Sequence, residues 1–246
     1  MKIIISPAKK LDTSVKVQNS KMNTLFLGES TKLIQTLKEK SILELKDLMG
    51  LSDNLAKLNW QRFQDWDIEN RNTYKALELF NGAVYEGIDA KNFNKSDNDF
   101  AQNNLRLLSG LYGILKPNDL ILPYRLEMGT KLKTIKENNL YGFWLDKLHQ
   151  NIVDELNNDV LINLASNEYS KVLKMNKIKS QVISPIFKDY KNGKLKVISF
   201  YAKRARGKMV NFIIKNKLTS YEELKLFKNN GYSFSHESNG EILFYR

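Results

Sequence analysis

The sequence predicts one mixed domain of the α+β class, and three observations carry that reading. An apolar run suited to a buried strand opens the chain, helical apolar spacing fills residues 31–80, and strand-turn-strand signals occupy the last third. The chain has 246 residues, 42% hydrophobic and 27% charged, enough for one sizeable core. No repeat, low-complexity tract or linker divides it, so residues 1–246 read as a single unit. Its helix-rich part covers 31–116 and its basic strand-and-helix part covers 171–217.

Taken in order, Ile3-Ile4-Ile5 is a buried-strand run stopped by Ser6-Pro7, since the residue before a proline disfavours helix. Leu33, Ile34 and Leu37, then Ile42, Leu45, Leu48 and Met49, recur at helical spacing. Ser52 is read as the cap of a helix carrying Leu55, Leu58, Trp60 and Phe63. Thr73 is read as the cap of another, ending near Phe80 with Gly82 just beyond. Ser96-x-x-Asp99 resembles a capping box ahead of Phe100, Ala101, Leu105, Leu107 and Leu108, read as a helix. A loop-rich stretch with Gly110, Gly113, Pro117 and Pro123 follows, then a helix over 141–156 and a strand over 160–164. Strands over 181–187 and 194–202 flank Lys191-Asn192-Gly193, a basic helix covers 204–216, and a last hairpin turns at Ser238-Asn239-Gly240.

Several function classes drop out. With no cysteine there is no disulfide, thiolate metal site or cysteine nucleophile, and two histidines cannot supply three imidazoles. Neither Gly-x-x-x-x-Gly-Lys-Ser/Thr nor Gly-x-Gly-x-x-Gly occurs, and no EF-hand or paired-histidine spacing is present, so no cofactor and no metal are expected. His149, in a helical stretch, is read as a surface or packing residue. No apolar run approaches the ~20 residues of a membrane span. The amino terminus has too short an apolar stretch for a signal peptide, which predicts a cytoplasmic location.

The charge is uneven. Of 39 Lys and Arg, 14 lie within 171–217 beside one acid, Asp189, while the rest of the chain is nearly neutral. Such a local excess attracts polyanions and releases counterions from phosphates; the competing reading is a solvated lysine face.

Four motifs concentrate polar chemistry. Leu108-Ser109-Gly110-Leu111-Tyr112-Gly113-Ile114-Leu115-Lys116 resembles a helix-hairpin-helix clamp whose glycine amides approach a phosphate; the plainer reading is a helix C-cap and turn. Ser199-Phe200-Tyr201-Ala202-Lys203-Arg204-Ala205-Arg206-Gly207-Lys208 sets four cations beside two aromatics. There Tyr201 is a base-stacking candidate, and Lys203, Arg204, Arg206 and Lys208 are phosphate contacts. As a strand it would set Phe200 and Ala202 on one face, Tyr201 and Lys203 on the other, and arginines starting a helix would oppose its dipole unless an anion binds. Ser6-Pro7-Ala8-Lys9-Lys10-Leu11-Asp12 puts two lysines beyond a buried strand, where clefts of open sheets form. Finally Arg125, Glu127, Asn163, Ser166 and Glu168 sit beside apolar anchors, either as a structural ion pair or as a polar pocket with Glu168 as general base.

In order and spacing, the blocks Ile5-Ser6-Pro7-Ala8-Lys9, Leu108-Ser109-Gly110-Leu111-Tyr112-Gly113, Pro123-Tyr124-Arg125-Leu126-Glu127-Met128-Gly129, Asn163-Leu164-Ala165-Ser166 and Ala202-Lys203-Arg204-Ala205-Arg206-Gly207 resemble the bacterial peroxide stress response protein YaaA family over almost the whole chain. The resemblance implies a protein induced by hydrogen peroxide that limits free intracellular iron. It further implies a mixed α/β fold of its own type, with a helix-hairpin-helix-like element and a basic DNA-binding cleft. Lys9, Arg125, Lys203, Arg204 and Arg206 match basic positions of its motifs, and Ser109, Gly110 and Gly113 match its hairpin. Two departures show: Lys10 stands where the family usually has threonine, and Ala83 where it often has aspartate.

The expectation is therefore a monomeric, non-enzymatic DNA-binding stress protein that contacts the phosphate backbone without sequence preference. Its DNA contacts are expected to be Lys9, Lys10, Ser109, Gly110, Gly113, Lys116, Arg125, Tyr201, Lys203, Arg204, Arg206 and Lys208. The rival expectation is an enzyme that holds an anionic small molecule with the same cations.

Overall fold

Ile3, Ile4 and Ile5 are fully buried and form the middle of the main sheet, as a run apolar on both faces requires. The computed structural model describes residues 1–246. Its first half runs β1 (Lys2–Ile5), β2 (Lys10–Leu11), α1 (Leu27–Lys38), α2 (Ile42–Met49), α3 (Asp53–Gln64), β3 (Tyr74–Lys75), α4 (Ala76–Leu79), β4 (Phe80–Asn81), α5 (Ala83–Ile88), α6 (Lys95–Asn104) and β5 (Leu105–Ser109). Then come β6 (Gly113–Leu115), β7 (Leu120–Ile121), α7 (Leu140–Leu156), β8 (Leu161–Asn163), α8 (Asn167–Ser170), β9 (Val182–Lys191), β10 (Lys194–Lys196), α9 (Ser199–Asn216), β11 (Ser233–Ser238) and β12 (Glu241–Tyr245).

The sheet order is β11-β12-β9-β8-β1-β5-β6, with β10 added to β9. From β12 through β9, β8 and β1 to β5 every pairing is parallel; β6, β10 and β11 join antiparallel. This parallel centre makes the domain α/β with a mixed sheet rather than a segregated α+β arrangement. One apolar core of 58 buried residues unites sheet and helices. No helix is long and apolar enough to cross a membrane.

Both expected Asn-Gly hairpins form, with Asn192, Gly193, Asn239 and Gly240 all at positive φ, as the turn matching strand twist requires. The long helix expected over 141–156 is α7. Four expectations change. Leu105, Leu107 and Leu108 lie in strand β5, because a short apolar run is equally readable as helix or as a fully buried strand. The capping box of α6 is Asn94 with Asp97, two residues before the expected one. Thr73 is buried and caps nothing; its backbone bridges to Val17, and Gly82 starts α5 rather than following a helix. Helix α9 begins at Ser199, so residues 199–202 are helix and not strand.

The glycine motif is corrected by the same shift. Ser109 and Gly113 are directly paired across the β5–β6 hairpin, so no helix-hairpin-helix forms there. Ser109 Oγ accepts the Leu111 and Tyr112 amides at 3.2 and 2.8 Å and shares a 2.5 Å hydrogen bond with Tyr124. Trp144 donates to the Gly110 carbonyl at 2.8 Å. A Cβ on Gly110 would stand 2.3 Å from the Leu126 carbonyl oxygen, so this residue is glycine for close packing. The turn is buried, out of reach of a phosphate backbone.

Candidate functional site

The chain leaves β1 toward β5 and returns to β8 on the opposite side of β1, so strand order reverses there. Clefts of open parallel sheets form at such a point, beyond the carboxyl ends of the strands. A cleft of about 340 Å³ lies in that position. Its floor includes Ser6 after β1 and Leu164 and Ser166 after β8. Ser166 N–H donates to Ser6 Oγ at 2.9 Å, which ties the two strand ends together.

The walls come from segments far apart in sequence. Lys10, in β2, pairs with Asn81 of β4, and the start of α5 adds Ala83 and Val84. The segment after β7 contributes Tyr124, Arg125 and Glu127, while α8 contributes Glu168 and Tyr169. Helix α9 contributes Lys203 and Arg206. Its approach depends on two facing glycines: a Cβ on Gly207 would lie 1.9 Å from the Val84 carbonyl oxygen, and one on Gly87 2.6 Å from that of Arg204. Only paired glycines let α5 and α9 cross this closely, and the crossing brings the α9 cations to the cleft.

Five cations, Lys9, Lys10, Arg125, Lys203 and Arg206, face two carboxylates, Glu127 and Glu168. Glu127 Oε1 is already shared by Lys9 at 3.0 Å and Arg125 at 3.1 Å. Glu168 Oε1 accepts the Gly129 amide at 3.0 Å. Arg125 Nε is buried with no partner, an uncommon state for a donor of this strength. Arg206 is half-buried, and loss of solvent alone lowers its pKa from the usual arginine value, with no acid opposing. Burial also pushes the Tyr85, Tyr124 and Tyr169 hydroxyls above the ordinary tyrosine range, so all three are neutral. Tyr85 donates to the Ser6 carbonyl at 3.0 Å. The arrangement is a partly enclosed cleft in which cationic side chains outnumber carboxylates.

Of the expected contact residues, the cleft gathers Lys9, Lys10, Arg125, Lys203 and Arg206. Tyr201 and Arg204 line a separate hollow with Phe200, Asn230, Tyr232 and Arg246, where the Arg246 guanidinium lies 4.6 Å from the Tyr201 ring centre. Lys208 is half-buried on α9 and lines neither hollow. Lys116 follows β6, whose register carries it back past Leu107 toward the start of β5, away from the cleft. Ser109, Gly110 and Gly113 are in the buried turn. Sequence reasoning did not single out Asn81 or the Tyr85 hydroxyl, which nothing but the fold brings to the strand ends.

A family model described as peroxide stress protein YaaA matches residues 1–238. The chain belongs to the peroxide stress protein YaaA family. It is 47% identical over 241 residues to a UPF0246 protein of Teredinibacter turnerae, covering 96% of this chain and 94% of that relative. A UPF0246 protein of Hahella chejuensis is 48% identical over 242 residues, with 96% and 94% covered. One of Aliivibrio fischeri strain MJ11 is 46% identical over 241 residues, with 95% and 93% covered. Lys10 and Ala83, the two positions at which the resemblance implies a threonine and an aspartate, line the cleft.

Proposed function

We propose that this YaaA-family protein acts in the response to hydrogen peroxide by binding DNA through the cleft at the carboxyl ends of β1 and β8. The observation that carries the reading is the excess of cations there, five against two carboxylates of which one is shared between two cations. Arg204 on α9 and Lys191, Lys194 and Lys196 on the β9–β10 hairpin are also exposed and available to a polyanion. Contacts of this kind are to phosphates, so binding is sequence-tolerant and steeply salt-dependent. Limitation of free intracellular iron belongs to the same proposal, as the consequence of the DNA-binding role that the family resemblance implies.

An electrophoretic shift series on a short duplex at several salt concentrations tests the reading. The triple variant Lys203→Ala, Arg204→Ala, Arg206→Ala is expected to bind more weakly, with the log–log salt slope smaller by about 2–3, near 0.9 per lost phosphate contact. Unchanged affinity and slope would remove the assignment. One observation favours a second reading, an enzyme acting on an anionic small molecule: the cleft is concave, walled by three buried tyrosines, and holds Glu168 as a candidate base. Thermal stabilisation by one metabolite, without duplex binding at physiological salt, would select it.

A further inference from the structure

Arginine presents five donors in a planar fork, and Arg125 uses one on Glu127 at 3.1 Å while its Nε, though buried, bonds to nothing. A buried, unmatched donor costs stability unless a ligand acceptor completes it. Arg206 is half-buried with no opposing acid, and Lys203, three residues earlier on α9, lines the same cleft. With Glu127 already shared by two cations and Glu168 bonded to the Gly129 amide, the cleft keeps a surplus of three positive charges.

We propose that the cleft floor is a phosphomonoester site, which takes the terminal phosphate of a nucleotide or of a nucleic-acid strand end in the fork of Arg125, with Lys203, Arg206 and Lys9 around it. This deepens the anion-binding reading of the same cleft and rests on it. Charge favours a monoester over an internal phosphodiester. A diester carries one negative charge, whereas a monoester carries about 1.5 to 2 at pH 7 and so meets more of the surplus. Shape agrees: at about 340 Å³ the cleft is at the small end of ligand pockets, large enough to enclose a terminal group, whereas the backbone of a duplex would rest across its mouth. Geometry agrees as well, because the oxygens of a terminal phosphate match the spacing of the guanidinium fork in a way a single lysine does not reproduce. Pro7, Ala8 and Val84 supply an apolar wall for the sugar or base that follows.

Fluorescence anisotropy with a labelled single-stranded oligonucleotide tests this, using 5′-phosphate, 3′-phosphate and hydroxyl-only ends, with AMP and adenosine as competitors. The wild type is expected to bind a phosphorylated end about tenfold tighter than the hydroxyl end, the worth of one added charge-assisted bond. Arg125→Lys keeps the charge but loses the fork, and is expected to abolish most of that preference. Competition by AMP but not adenosine, equal to that of the phosphorylated end, identifies a free nucleotide as the source; no competition by AMP, with the end preference intact, identifies the strand end. Equal binding of all ends with no AMP competition overturns the site while leaving DNA binding standing. Binding of AMP without any oligonucleotide supports the site and sinks the DNA reading instead. If Arg125→Lys melts early, the exposed Lys203→Ala carries the test: a full end preference in that variant overturns the proposal.

Discussion

At the carboxyl end of α9, Lys215 and Lys217 both bond the buried carboxylate of Asp97, Lys215 at 2.6 Å. Earlier on the same helix, Lys203 and Arg206 face a cleft in which acids are outnumbered. In sequence these are one basic segment. In space they are opposites. The terminal pair sits where the helix dipole favours cations and is joined to an acid that also caps α6 through the Asn94 amide at 3.0 Å. The earlier group has neither benefit. Local charge excess is therefore not uniform in space: folding neutralises part of it at Asp97 and leaves part of it without an acid at the cleft. Because α9 starts at Ser199, Lys203 already lies beyond the first turn, and the dipole conflict expected for arginines opening a helix is weaker than the sequence suggested.

Gly207 lies between the two groups, and substituting it should produce the largest effect. The methyl of Gly207→Ala would meet the Val84 carbonyl at 1.9 Å, so α5 and α9 must part. The expected loss is about 3 kcal/mol or more in urea unfolding, with anion binding reduced as well. Near-native stability would mean that the crossing relaxes freely and does not fix the cleft. Asp97→Ala removes a cap and leaves two lysines without their acid, with an expected loss of about 2–3 kcal/mol. Because Asp97 is outside the cleft, affinity for a duplex should not change. A coupled loss of affinity would break the contrast between the two ends.

Acid sharpens the second case. Hydrogen bonds from Lys215 and then Lys217 hold the Asp97 pKa well below the usual carboxylate range, outweighing the opposing effect of burial. A depressed folded-state pKa contributes stability that is complete above the unfolded value near 4 and disappears as pH falls toward the folded one. The stability difference between wild type and Asp97→Ala should thus be constant at neutral pH and narrow below about pH 4. A gap that widens there would reverse the assignment.

What the sequence made legible follows distance along the chain. Helix α7 and the two Asn-Gly hairpins are local patterns and came out as expected. Strand β5 did not, since Leu105, Leu107 and Leu108 carry too short an apolar run to distinguish strand from helix, and reading them as helix supported the helix-hairpin-helix expectation that the family resemblance also implied. Within the cleft, Lys9, Arg125 and the pair Lys203 and Arg206 were singled out in three separate motifs. Nothing local indicated that they share one cleft while Lys116 does not. The partnership of Asp97 with Lys215 spans 118 residues and the facing of Gly87 and Gly207 is a tertiary coincidence, so neither has a local signature.

The smallest expected effect separates the two groups of cations most directly. Lys203 and Arg204 are exposed and form no ion pair, so removing either side chain breaks no salt bridge and leaves no buried acid uncompensated. Lys203→Ala and Arg204→Ala should each lie within about 0.5 kcal/mol of wild type. At low salt the change should tend toward a gain, because each variant relieves repulsion among neighbouring cations that no acid offsets, and salt should erase that gain by screening. A gain that vanishes by physiological salt, alongside weaker duplex binding, is the signature of cations retained for a ligand rather than for the fold. Were either variant instead to lose as much stability as Asp97→Ala, the unpaired appearance of this region would be wrong, and the two ends of α9 would be doing the same work.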